Sequence, residues 1–229
     1  MYLNDVAMLA ASTSRSKFYL EGLIKKKLMP AHVIFLINDS QKLLPGQKNT
    51  TLALEIIQLL NDAKINYSTS KNNDINSREI ISEVSKRKEK VFIFSGFGGS
   101  LLKEEILNLD KYFLHVHGGY LPDYKGSTTN YFSLLNESSI GASSIFLTKD
   151  IDSGPILLRR KFPAPKNRND IDYTIDSEVR TQILIETIEQ YLRTGMWSFE
   201  EEHNSGGDTY YIIHPVLKHL SILADEALK

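Results

Sequence analysis

Residues 115–126, His-Val-His-Gly-Gly-Tyr-Leu-Pro-Asp-Tyr-Lys-Gly, gather the groups best suited to chemistry. Alternation along a strand puts His115 and His117 on one face, two residues apart. At the carboxyl end of a strand in an α/β sheet, such a face opens on the crevice where these sheets bind ligands. An imidazole with its ordinary pKa of about 6.5 is neutral or charged near working pH, so it can exchange a proton or donate a hydrogen bond to developing negative charge. A His-x-His pair also suits a metal. A catalytic metal usually takes three protein ligands, however; the chain has no cysteine and no motif marks an acidic residue as the third ligand, so no metal is expected.

These histidines need a sheet to hold them. Apolar runs of strand character alternate with amphipathic stretches of helical period, the pattern of βαβ units and of an α/β, Rossmann-like, mainly parallel sheet flanked by helices. Strands are expected over Leu3–Ala11, Val33–Ile37, Ile65–Thr69, Val91–Phe94, Tyr112–His117 and Ala142–Thr148. Helices are expected near Lys17–Leu28, Thr51–Ala63, Ser77–Lys88, Leu101–Leu109 and Tyr131–Leu135, with β–α repeats running to about Phe162. Ser12–Ser16 supplies N-cap candidates, Pro45 and Gly46 mark a loop, and Leu54, Ile57 and Leu60 lie at helical spacing. After Phe162 a polar stretch with Pro163 and Pro165 suggests a soft boundary, dividing a catalytic domain over 1–162 from a small C-terminal extension over 163–229. The extension should carry a helix over Ile175–Leu192 and a last strand over Thr209–Ile213.

Three segments resemble one enzyme family. His117, Leu121-Pro122, Tyr124, a basic residue and Gly126 are spaced like the signature of formyltetrahydrofolate-dependent formyltransferases, Asn-x-His-x-x-x-Leu-Pro-x-Tyr-Arg-Gly. Lys125 stands where the family has arginine, and His115 where it has asparagine. Thr148–Leu157 is similar to the family's acidic loop, which ends in Asp-x-Gly-x-Ile-Leu; alone, Asp152-Ser-Gly-Pro would be only a turn. Phe94-Ser95-Gly96-Phe97-Gly98 resembles the family loop whose backbone holds the pterin ring, although it would equally serve as a plain strand-to-helix turn.

The resemblance implies 10-formyltetrahydrofolate as formyl donor, with His115, His117 and Asp152 catalytic. It further implies folate contacts from Phe94 to Gly98 and from Asp150 and Ile151, and contacts to the amine substrate from Tyr120, Tyr124, Lys125 and His214. Formyl transfer between nitrogens passes through a tetrahedral intermediate, which demands oxyanion stabilisation and removal of a proton from the amine. The Tyr210–Lys218 tail resembles that of sugar N-formyltransferases, which points to a nucleotide-linked amino sugar and to surface-glycan biosynthesis; glycinamide ribonucleotide, or a non-catalytic folate- or nucleotide-binding module, is the alternative.

Composition limits the partners. With 27 basic and 28 acidic residues the formal net charge is -1, so neither nucleic acid nor a membrane surface is an expected partner. The absence of cysteine fits a reducing compartment, and the lack of a signal-peptide pattern makes the cytoplasm the expected location. Two outcomes are open for the apolar C-terminal strand: pairing with a second copy to give a homodimer, or capping the chain's own sheet.

Overall fold

A computed structural model describes residues 2–37 and 52–224. Pro45, Gly46 and Thr51 lie outside the described residues. The chain divides into two compact units, Met1–Leu114 and His115–Lys229.

The first unit follows the β–α pattern. A two-residue strand β1 (Tyr2–Leu3) precedes β2 (Val6–Ala11), α1 (Ser14–Lys25), a second short strand β3 (Met29–Pro30) and β4 (Val33–Leu36). Then come α2 (Leu52–Asp62), β5 (Tyr67–Ser70), α3 (Arg78–Lys86), β6 (Val91–Ser95), the single turn α4 (Glu104–Leu107) and β7 (Tyr112–His117), which runs on into the second unit. In the order β7-β6-β2-β4-β5 every pairing is parallel, the arrangement of a Rossmann-like sheet. All residues of β2, β4 and β6 are buried, as strands covered by helices on both faces must be, which is why these segments read as unbroken apolar runs. Thr13 caps α1 by accepting from the Ser16 N–H at 3.2 Å, and Ser77 caps α3 by accepting from Ile80.

Two expectations within this unit need correction. Leu54 is half exposed, and α2 buries Ala53, Ile56 and Leu60 instead. A helical spacing leaves the rotation of the apolar stripe open by about one residue, and packing decides it. The helix expected over Leu101–Leu109 contracts to one turn, Glu104–Leu107, followed by Asn108 outside the helical region.

The second unit departs from the repeat. It contains β8 (Tyr124–Gly126), α5 (Thr129–Glu137), β9 (Ser139–Phe146), β10 (Ile156–Pro163), a π-helical turn over Ile171–Ile175, α6 (Asp176–Thr194), β11 (Asp208–Tyr210) and α7 (Pro215–Leu223). Strand order here is β10-β9-β7, and β9 and β10 are antiparallel with no helix between them, so the β–α repeat ends before Phe162. Helix α6 packs on β9 and β10, while α5 packs on β9 and α7. The last strand is shorter than expected and pairs in parallel with β8. Pro215, at the first helical turn, then starts α7, with His214 as its cap. Among the described residues no helix is long and apolar enough to cross a membrane.

Candidate active site

Strand β7 carries His115 and His117 to its end, and the 118–123 loop brings the chain back into β8. That loop is fastened at three of its carbonyls and one N–H. The Thr129 hydroxyl donates to Gly118, the Ser143 hydroxyl donates to Gly119 at 2.7 Å and accepts from the Leu121 N–H at 3.0 Å, and Arg159 donates to the Leu121 carbonyl at 2.6 Å. The Leu121–Pro122 bond is cis. Gly119 is required by contact: a Cβ there would lie 2.6 Å from both His117 Nε2 and the Tyr124 carbonyl oxygen.

His117 is 4% exposed and held along both edges of its ring. Nε2 lies 2.7 Å from the Tyr124 carbonyl oxygen, and Nδ1 lies 3.3 Å from Asp152 Oδ2. A carbonyl can only accept, so Nε2 carries the hydrogen. In that tautomer a neutral ring turns the Nδ1 lone pair toward Asp152 Oδ2. Burial pushes the His117 pKa below its ordinary value; Asp152 opposes this and Arg180 reinforces it. Arg180 sits 2.7 Å from Asp176 and donates to the Val116 carbonyl at 2.8 Å.

Asp152 adopts a left-handed backbone, φ +50°, an uncommon conformation for a residue with a side chain. Its surroundings hold it there. Oδ2 accepts from the Gly126 N–H at 2.8 Å, and Asn204 Nδ2 donates to the carbonyls of Asp152 at 2.6 Å and Gly154 at 3.1 Å. Asn204 is buried, as is Lys125, whose Nζ donates to the Asn204 carbonyl at 3.2 Å and reaches Ser153 Oγ at 3.5 Å. The β11 pairing completes this support: the Tyr210 ring stacks on Tyr124, and Gly126, at φ +94°, leaves room for the Tyr210 carbonyl oxygen, which would lie 2.1 Å from a Cβ.

The structure therefore gathers His115, His117 and Asp152, whose side-chain donor atoms all lie within 4.8 Å of one another. Tyr120 has two cations over its ring, the Arg159 guanidinium at 5.2 Å and Lys161 Nζ at 4.9 Å from the ring centre. Tyr124 is buried, Asp150 and Ile151 are exposed, and His214 is exposed with its Nδ1 accepting from the Val216 N–H at 3.3 Å. In the first unit Phe94, Ser95 and Gly96 are buried, Phe97 is half-buried and Gly98 is exposed. Arg15 fastens that loop through Ser95 Oγ at 3.2 Å and the Gly96 carbonyl at 2.6 Å.

Sequence reasoning missed Asn204, the Tyr124 carbonyl and Arg180. Two of these act through backbone atoms or from a remote helix, and Asn204 sits in a polar stretch with no motif to mark it. The motif marks Asp152 as a partner of His117, and the fold also brings it beside His115 as a third donor.

The formyl transferase family pattern matches residues 5–185. Over 87 residues the chain is 31% identical to the methionyl-tRNA formyltransferase of Caldanaerobacter subterraneus subsp. tengcongensis, covering 37% of this chain and 28% of the relative. Over 106 residues it is 30% identical to the phosphoribosylglycinamide formyltransferase of Escherichia coli K12, covering 46% of this chain and 49% of the relative. The alignments thus span half or less of these curated relatives. The fold is similar to that of the Helicobacter canadensis N-formyltransferase in complex with folinic acid and dTDP-3-aminofucose, with a TM-score of 0.58 and 17% identity over 90% of this chain and 70% of the other. With the motif residues assembled at the end of β7 and the family pattern covering most of the sequence, this chain belongs to the formyl transferase family.

Proposed function

We propose that the protein transfers a formyl group from 10-formyltetrahydrofolate to the amine of a nucleotide-linked amino sugar. The observation that carries the reaction is the buried His117–Asp152 pair, fixed from the far side by the Tyr124 carbonyl. The amine nitrogen attacks the formyl carbon, and the C–N bond to the folate breaks from the tetrahedral intermediate. The amine's proton passes to the His117–Asp152 pair and leaves on the departing folate nitrogen. His115 donates to the oxyanion, the part asparagine plays in the resembling signature.

Donor contacts are assigned to Phe94, Ser95, Gly96, Phe97 and Gly98, and to Asp150 and Ile151; acceptor contacts are assigned to Tyr120, Tyr124, Lys125 and His214. The sugar reading rests on the Tyr210–Lys218 tail and on fold neighbours such as the Helicobacter canadensis enzyme, described with a dTDP-linked aminofucose. Glycinamide ribonucleotide is the second reading, favoured by the Escherichia coli relative.

The test incubates protein and 10-formyltetrahydrofolate with a panel of nucleotide-linked 4-amino-4,6-dideoxy sugars and, separately, glycinamide ribonucleotide. A formamido sugar with one tetrahydrofolate released per product is expected. Turnover of the ribonucleotide alone would overturn the sugar assignment, and no tetrahydrofolate even in a single turnover would overturn transfer itself.

A further inference from the structure

The substitution that sets this chain apart from the signature it resembles places a second imidazole beside the His117–Asp152 pair. We infer that His115, His117 and Asp152 form a three-donor site for a divalent transition metal of the zinc type, with a fourth position open to water. The first support is the donor set: two imidazoles and one carboxylate, all three donor atoms within 4.8 Å of one another, make a common ligand combination for zinc and its neighbours.

The second support is distance. Zinc bonds to nitrogen and oxygen are about 2.0–2.2 Å long, which makes the edge of a tetrahedral site about 3.3–3.5 Å. His117 Nδ1 and Asp152 Oδ2 are 3.3 Å apart, so that edge exists before any metal arrives. The third donor is near as well: a ring nitrogen of the half-buried His115 lies within 4.8 Å of the donor atoms of His117 and Asp152.

The third support is the outer shell. A metal-bound histidine characteristically donates its other ring N–H to a carbonyl, and ligating carboxylates are themselves hydrogen-bonded. His117 Nε2 donates to the Tyr124 carbonyl, which leaves the Nδ1 lone pair facing Asp152, and Asp152 Oδ2 accepts from the Gly126 N–H. Two acceptor atoms face each other across a gap that a cation fills. The metal takes the same lone pairs that the transfer reaction needs for its proton, so the loaded protein is inactive in formyl transfer. That consequence, unlike the site, rests on the proposed function.

The test is titration of tag-free, chelator-treated full-length protein with Co²⁺ and Zn²⁺, followed by calorimetry and visible absorption. One equivalent should bind, with the intense visible bands of four- or five-coordinate Co²⁺ and displacement by Zn²⁺. His115→Asn and Asp152→Asn should each weaken binding at least about tenfold, since even the loss of an outer-shell partner costs about 10–100-fold. Circular dichroism of each variant confirms that it is folded; should Asp152→Asn not fold, His115→Asn decides alone.

Absence of saturable binding, six-coordinate Co²⁺ bands, or affinity unchanged in folded His115→Asn would overturn the site. Zn²⁺ should inhibit formyl transfer with the same midpoint as binding. Binding without inhibition would overturn the competition with the proton but leave the site standing, and a protein that binds metal yet never transfers formyl would contradict the proposed function alone.

Discussion

The two compact units solve burial differently. In the first, the interior is made of apolar strands, and among the described residues its buried polar ones are few: Ser12, Ser16, Ser70, Glu89 and Ser95. The second buries His117, Lys125, Asp152, Asn204, Arg168 and a series of serines and threonines. A buried polar group is tolerable only when hydrogen-bonded, so the second unit depends on directional contacts where the first depends on packed area. Away from the Phe94–Gly98 loop, substitutions in the apolar interior of the first should therefore act on stability, and those of the buried polar groups of the second on stability and chemistry together.

The largest stability effect is expected in the first unit. Phe92 is fully buried in β6 with its ring 5.8 Å from Phe113, and Phe92→Ala should cost about 3–5 kcal/mol in denaturant unfolding. The pH dependence of transfer by the remaining folded enzyme should not change. A shifted pH profile would break the separation between the units' roles.

Asn204→Ala comes next. It removes both donors that hold the Asp152 and Gly154 carbonyls, which should cost about 1–3 kcal/mol and lower kcat more than it raises KM. Equal kcat in a destabilised variant would reduce Asn204 to a purely structural role.

A third comparison uses histidines. His32, in the first unit, and His117, in the second, both have pKa values lowered by burial, with Arg87 and Arg180 respectively adding to the effect. In each case the unfolded state binds a proton at a higher pH than the folded state does. Stability is therefore fully present above about pH 6.5 and falls as pH drops toward the folded pKa, by at most about 1.4 kcal/mol per pH unit for each group. Unfolding measured from pH 8 to 5 should show that slope, and His32→Asn and His117→Asn should each flatten it. Only the second should also alter the pH profile of transfer. The smallest effect is expected for Leu54→Ala, within about 0.5 kcal/mol, against about 2–5 kcal/mol for Leu60→Ala six residues along the same helix.

That last contrast shows what could be read from sequence and what could not. Unbroken runs such as Val91–Phe94 are legible because a strand buried on both faces has no polar positions to confuse the pattern. The rotation of α2 was not legible, since Leu54 and Ile56 differ only in what lies opposite them. The histidines and Asp152 were legible by type and spacing. Their restraints were not, because a carbonyl from Tyr124 carries no side-chain signature and Asn204 is brought to Asp152 only by the fold. The antiparallel β10 went unread for a related reason: the Asp152–Pro155 turn that precedes it is also a functional loop, and nothing in its residues announces a hairpin.

The central claim is that His117 and Asp152 act as one proton-handling pair. Single-turnover transfer from 10-formyltetrahydrofolate to the best amino-sugar acceptor, compared among wild type, His117→Ala, Asp152→Ala and the double variant, tests it most directly. Each single variant should lose about 10²–10⁴-fold in rate, and the double variant should be no slower than the worse single one. Losses that multiply in the double variant, or a single variant at the wild-type rate, would contradict the account.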